Sequence, residues 1–206
     1  MALFVCLFFS SCQTSPPYRG RLSGAGFFDT VIIDAGHGGQ DRGAKAVQGN
    51  HEKILSLDIA KRVSRILRNS GLQVIETRKG DYFVTLDDRV AISNRSRNAV
   101  FVSLHLNWAK RTRASGVEAY FYSDRSSRLA ANIQTEVLRA YGTKNRGIKP
   151  GRFYVLRNNR RPAVLVEMGF VSNPAENLEL QKSSTRQKIA EAVARGILAE
   201  KSGRTP

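Results

Sequence analysis

Cysteine is almost missing from this 206-residue chain: two are present, Cys6 and Cys12, both near the start. The rest of the chain therefore contains neither a disulfide nor a thiolate ligand, and any metal there must be held by His, Asp or Glu. Histidine is scarce as well, with His37, His51 and His105 the full set. Acidic residues are outnumbered, 17 Asp and Glu against 33 Lys and Arg, for a formal charge of +16. That field favours anionic partners, whether nucleic acid, an acidic membrane surface or an acidic polymer such as a cell wall, and does not choose among them. Long apolar runs are lacking too. "MALFVCLFF" at the N-terminus falls short of the roughly 20 residues of a membrane-spanning helix. It has instead the character of an export signal. "FSSC", ending at Cys12, resembles a bacterial lipobox, although no Lys or Arg precedes the run and Phe9 stands where Leu is usual.

Residues 1–12 are accordingly expected to be a signal peptide, of lipoprotein type if Cys12 is lipidated, and 13–27, rich in Pro, Gly and Ser, a linker. Residues 28–206 suffice for one domain. Along them, short β-rich runs alternate with helical patterns. Strands are expected at 30–34, 72–77, 99–104, 117–122, 153–156 and 163–167, and helices at 52–69, 86–95, 126–141, 174–181 and 185–200. In the first helix Leu55, Ile59, Val63, Ile66 and Leu67 recur at three- and four-residue spacing, giving one apolar face. Asn173 before Pro174 is a cap followed by proline at the first helical position. The alternation predicts a single α/β domain whose mostly parallel sheet of about six strands is flanked by helices on both faces. Runs such as "AVFVSL" and "AVLVEM" suit strands buried on both sides.

Ligands of open α/β sheets bind beyond the carboxyl ends of the strands. Three predicted strands deliver a chemically able residue there. "TVIID" leads through "AGHGG" to His37, "AVFVSL" leads to His105, and "AVLVE" ends in Glu167. Glu52, at the start of the first helix, is a fourth candidate, although the helix dipole alone favours a carboxylate at that position. His51 beside it is an equal contender. Two histidines and a glutamate with an open fourth position form the donor set of a catalytic Zn²⁺ site, where water is acidified to a pKa of about 7. Glu167, ending an apolar strand, would then serve as general base and pass its proton to the leaving group. "HEKIL" is not HExxH, and "GHGGQDRG" is neither GxGxxG nor a P-loop. The arginines of "GRFYVLRNNRRPA", just before the last strand, could meet carboxylates of a substrate or form a solvated loop.

The motifs "IIDAGHGGQDRGA", "HEKILSLDIAKRV", "VIETRKGDYFVTLDDRVAISN", "SLHLN", "GVEAYFY" and "VLVEMGFVSNPAE" resemble, in order, the zinc-dependent N-acetylmuramoyl-L-alanine amidases of the bacterial cell wall, of the amidase-3 type. The resemblance spans about 30–200. It implies hydrolysis of the amide joining N-acetylmuramic acid to L-alanine of the peptidoglycan stem peptide. It implies zinc ligands at His37, Glu52 and His105, preferring Glu52 to His51, and a catalytic acid/base at Glu167. Asn107, Arg78 and Arg89 lie in matching motifs as substrate-binding or bracing residues, and Glu118 as a supporting one. The partner implied is peptidoglycan or muropeptides; nucleic acid is not expected, and membrane only through an anchor at Cys12. Export to the periplasm or cell envelope follows. Division amidases of this kind often insert a plugging helix after the "GVE" strand; here the chain runs straight on, so no activator is expected. A zinc peptidase cutting within the stem peptide and a non-catalytic wall-binding module are the alternatives.

Overall fold

The computed structural model describes residues 18–206. The expected signal peptide with Cys6 and Cys12, and the first part of the linker, lie outside the described residues. Six strands, β1 (Thr30–Ala35), β2 (Gln73–Glu76), β3 (Ala99–Asn107), β4 (Val117–Phe121), β5 (Asn145–Pro150) and β6 (Ala163–Phe170), form one sheet in the order β2-β1-β3-β6-β4-β5. All neighbours run parallel except β4 and β6, which are antiparallel. The helices are α1 (Glu52–Asn69), α2 (Leu86–Arg95), α3 (Ser127–Tyr141), α4 (Tyr154–Arg157), α5 (Pro174–Gln181) and α6 (Ser183–Lys201). No helix among the described residues is long and apolar enough to cross a membrane.

The period of two along each strand sorts side chains between two unequal layers. Val31 and Ile33, Val100, Val102 and Leu104, and Val164 and Val166 face a large core closed by α1, α3 and α6. Ile32, Phe101 and Leu165 face a smaller one covered by Val90 of α2 and Val155 and Leu156 of α4. Helices thus lie on both faces, as expected. On the thinner face the apolar cover ends before the strands do. Ser103, His105 and Asn107 of β3, Glu167 of β6 and Glu118 of β4 continue the same alternation past it.

Two elements differ from the sequence reading. The expected strand 153–156 is the helix α4, and the fifth strand is instead Asn145–Pro150. As the sheet's edge, β5 pairs only with β4. It can therefore be polar and end in proline, signals that argue against a central strand. Residues 18–26, expected as linker, are docked on the domain. Tyr18 stacks edge-on against Phe121 at 5.0 Å, and the Ala25 N–H donates to Glu200 Oε1. Asn173 caps α5 as expected, its Oδ1 accepting from the N–H groups of Ala175 and Glu176.

Candidate metal and hydrolytic site

The strand order reverses between β1 and β3: α1 returns the chain to β2 on one side of β1, while β3 lies on the other. Such a switch leaves a crevice beyond the carboxyl ends of the two strands. His37, two residues past β1, and His105, near the end of β3, converge there with ring centroids 5.0 Å apart. The N-terminus of α1 supplies Glu52 between them. Its Oε2 is 3.1 Å from His37 Nε2 and its Oε1 is 2.9 Å from His105 Nδ1. One ligand atom from each of the three residues fits within 4.8 Å of the others. His51, the contender for Glu52's position, is not in this group.

The backbone is shaped for this convergence. His37 itself adopts φ 61°, an uncommon conformation for a residue with a side chain and one that recurs at functional sites. A Cβ on Gly36 would sit 2.4 Å from His105 Cε1, and one on Gly43 would sit 2.6 Å from Glu52 Oε2 and His37 Cδ2. Side chains at either position would fill the space where the three donors meet. That space, together with nitrogen and oxygen donors only, fits a divalent metal of the zinc type.

Supports surround the donors. Asp41 Oδ2 lies 2.8 Å from His37 Nδ1, which leaves Nε2 directed to Glu52 and orients the ring as metal-binding imidazoles require. Glu52 accepts backbone N–H bonds from Ala44 and Leu106. Burial alone would raise its pKa, but the His37 charge and bonds from both histidines hold it far below the usual carboxylate range. His37 in turn is pushed up to about 10, burial being outweighed by Glu52 and Asp41. Asp41 was not singled out in the sequence, although an acidic residue four past a histidine in a glycine loop is a usable signal.

Arg78 and Arg89 are buried and bonded within the domain. Arg78, 1% exposed, donates to the carbonyls of Ala35, Gly36, Lys53 and Gly80. Arg89 donates to Asp34 and to the carbonyls of Ala35, His37 and Val84. Every guanidinium nitrogen is engaged, so both brace the His37 loop, and of the two roles open to them the geometry favours bracing over substrate binding. Asn107 is likewise buried, its Nδ2 donating to Glu118 Oε1 at 2.7 Å.

Glu167 stands directly opposite His105 on β3 and opposite Glu118 on β4. The two glutamates have contrasting surroundings. Glu118 accepts from Asn107, Tyr120, Arg146 and Lys149. These donors, Lys149 foremost, overcome burial and lower its pKa. Glu167 Oε2 is buried and has no hydrogen-bond partner among the described residues. Burial first, then the charges of Glu52 and Glu118, raise its pKa well above the ordinary value. Adjacent carboxylates with pKa values driven apart are the usual mark of an acid/base pair of roles.

The arginines before β6 do not reach this edge. A strand's leading residues lie where it starts, and Glu167 is four residues on, roughly 13 Å along the strand. Exposed basic side chains that do lie at the catalytic edge include Lys110, Arg111 and Arg113, in the loop between β3 and β4.

A mixed α/β sheet that gathers two histidines and a glutamate beside a carboxylate of raised pKa defines a hydrolase with a candidate metal centre. The chain belongs to the Amidase_3 family, N-acetylmuramoyl-L-alanine amidase, whose profile matches residues 31–199. It is 39% identical over 189 residues to the uncharacterized protein YqiI of Bacillus subtilis, covering 90% of this chain and 87% of that one. It is 35% identical to the N-acetylmuramoyl-L-alanine amidase LytC of the same organism, covering 83% of this chain and 35% of LytC, so it spans about a third of that relative's length. Among solved structures, the amidase AmiC2 of Nostoc punctiforme superposes with a TM-score of 0.80 at 41% identity, covering 85% of this chain and 97% of that one. The CwlD amidase of Clostridioides difficile, solved in complex with the GerS lipoprotein, gives 0.81 at 33% identity over 85% and 99% of the two chains.

Proposed function

We propose that this chain is an exported, zinc-dependent N-acetylmuramoyl-L-alanine amidase. It hydrolyses the amide between the lactyl group of N-acetylmuramic acid and L-alanine of peptidoglycan stem peptides. His37, Glu52 and His105 hold the metal through one nitrogen or oxygen each. Zinc bound there supplies Lewis acidity, polarising a carbonyl and making a water acidic near neutral pH. Glu167 carries the proton: unpaired and half-buried, its carboxylate accepts it from water and delivers it to the departing amine of L-alanine. Glu118, kept ionised by four donors, raises the proton affinity of Glu167 and holds Asn107 in place. Asp41 orients His37, and Arg78 and Arg89 fix the backbone that presents it. The observation that carries the reading is the register pairing of an unbonded Glu167 with His105 of the donor set.

The envelope location rests on the apolar leader and on relatives such as the probable cell wall amidase LytH of Staphylococcus epidermidis. Lipid anchoring at Cys12 rests on the lipobox-like sequence alone. Between β4 and α3 the chain makes a single 3-10 turn, Asp124–Ser126, which supports a site that works without an activator. The test is incubation of the protein with purified peptidoglycan, with and without chelator, followed by mass spectrometry of the soluble fraction. Stem peptides beginning with free L-alanine, absent with chelator, are expected. Fragments cut inside the peptide would make the protein a peptidase, and tight wall binding without products would make it a binding module.

A further inference from the structure

The edge of the sheet opposite the catalytic one carries a second concentration of unusual side chains. β1, β3 and β6 begin there, and β4 ends there, because Phe121 pairs with Val164. A cleft of about 140 Å³ opens at this edge, lined by Phe27, Asn98, Arg125, Arg160 and Arg161 among others. None of the three arginines has a carboxylate partner among the described residues. Arg161 Nε is buried without a hydrogen-bond partner there, and its remaining side-chain bond is to the Asn94 carbonyl at 3.3 Å. Asn98, which shapes the cleft floor between α2 and β3, holds φ 45°. Three carboxylates lie near this edge, of which Glu200 is taken up by Arg128 and by the N–H of Ala25. Asp29 is engaged by the Thr30 hydroxyl, and Asp124 stands exposed beside Arg125.

Two aromatic side chains are exposed at this edge: Phe27 of the cleft lining, 76% exposed with Lys201 over its ring at 5.6 Å, and Tyr122 just past β4, 45% exposed with Arg152 over its ring at 5.8 Å. Guanidinium forks match the geometry of phosphate oxygens, and aromatic rings beside cations are the composition of surfaces that seat at the headgroup level of a bilayer. The attachment of the preceding chain agrees. Tyr18, whose ring lies against Phe121, donates its N–H to the Ile148 carbonyl on the neighbouring strand. Tyr18, the first described residue, therefore sits close to this same edge, and an apolar run precedes it in the sequence.

We infer that this edge, centred on Arg125, Arg160, Arg161 and Phe27, is a docking surface for the phosphate headgroups of an anionic phospholipid membrane. Docked this way, the protein presents its His37–His105 edge to the side away from the bilayer. The inference stands apart from the amidase assignment, since its readout is lipid binding.

The test is partitioning of the full-length protein onto phosphatidylcholine vesicles with and without phosphatidylglycerol. The apolar leader is common to every variant and cancels in the comparison. R125Q/R160Q/R161Q should lose the preference for anionic vesicles by about a hundredfold, at roughly fivefold per charge removed near such a surface. K110Q/R111Q/R113Q, which removes the same charge from the catalytic edge, should keep it. F27S should weaken binding to anionic vesicles several-fold at unchanged charge. Equal losses in the two triple variants would overturn the proposal in favour of a diffuse effect of net charge. So would retention of the preference by R125Q/R160Q/R161Q. Competition by soluble poly(glycerol phosphate) as effective as that by vesicles would reassign the cleft to a phosphate-bearing wall polymer.

Discussion

Glu118 and Glu167 are the same residue type on the same face, one strand apart, yet one is locked as a carboxylate and the other resists ionisation. Four donors around Glu118 hold it down, whereas burial and the charges of Glu52 and Glu118 raise Glu167, whose buried oxygen has no donor among the described residues. A similar logic governs Asp34 beneath the His37 loop. Burial would raise its pKa, but Arg89, Ser103 and Thr77 outweigh it and bring the folded value below the ordinary 3.8. A carboxyl whose folded pKa is depressed stabilises the fold fully above its unfolded pKa and loses that contribution as pH falls through the folded one. Unfolding measured in chelator should therefore show wild-type stability dropping below about pH 4. Asp34→Asn should flatten that limb and cost about 3–5 kcal/mol at neutral pH, because Arg89 is left buried and unpaired. A parallel pH dependence in wild type and variant would refute the account of Asp34.

At the scale of elements, the site is a product of β1, β3 and the start of α1 meeting at the switch in strand order. Gly36 and Gly43 set the closeness of that meeting. Gly36→Ala should leave the helical and strand signals in circular dichroism intact while lowering zinc affinity by about 10–100-fold, the range seen when ligand supports are disturbed. Unaltered affinity would mean the close approach to His105 has no role in metal binding. Removing the α5 cap with Asn173→Ala should cost about 1 kcal/mol in denaturant unfolding; no change would show that Pro174 alone starts the helix. Elements such as α1, β3 and β6 were legible in the sequence because they carry a strong period or an unbroken apolar run. The carboxyl-edge positions of His37, His105 and Glu167 followed from the strands that precede them. The exchange of 153–156 for β5 was not legible. Tyr154, Val155 and Leu156 have strand-like composition, but their burial against Leu165 is satisfied by one helical turn, and "NRGIKP" needs no apolar face at an edge. The choice between bracing and substrate binding for Arg78 and Arg89 was also out of reach, since it depends on carbonyls more than 20 residues away in sequence.

As a whole the molecule has two ends. One gathers the donor set, Glu167 and the Lys110–Arg113 loop; the other holds arginines without carboxylate partners among the described residues, two exposed aromatic rings and Tyr18, the first described residue. Part of the excess of basic residues lies at these two ends, Lys110, Arg111 and Arg113 at one and Arg125, Arg160 and Arg161 at the other, a separation that composition alone could not give. The loop of arginines before β6 illustrates the point, since a parallel strand separates its leading residues from the catalytic edge by its own length. The central claim, that Glu167 moves the proton at a metal held by His37, Glu52 and His105, is tested most directly with Glu167→Gln. Stem-peptide release and bound zinc should be measured on the same sample. The account predicts zinc retained at the wild-type level and turnover reduced about 10²–10⁴-fold, the range of a lost general base. Near wild-type turnover with zinc in place would contradict it.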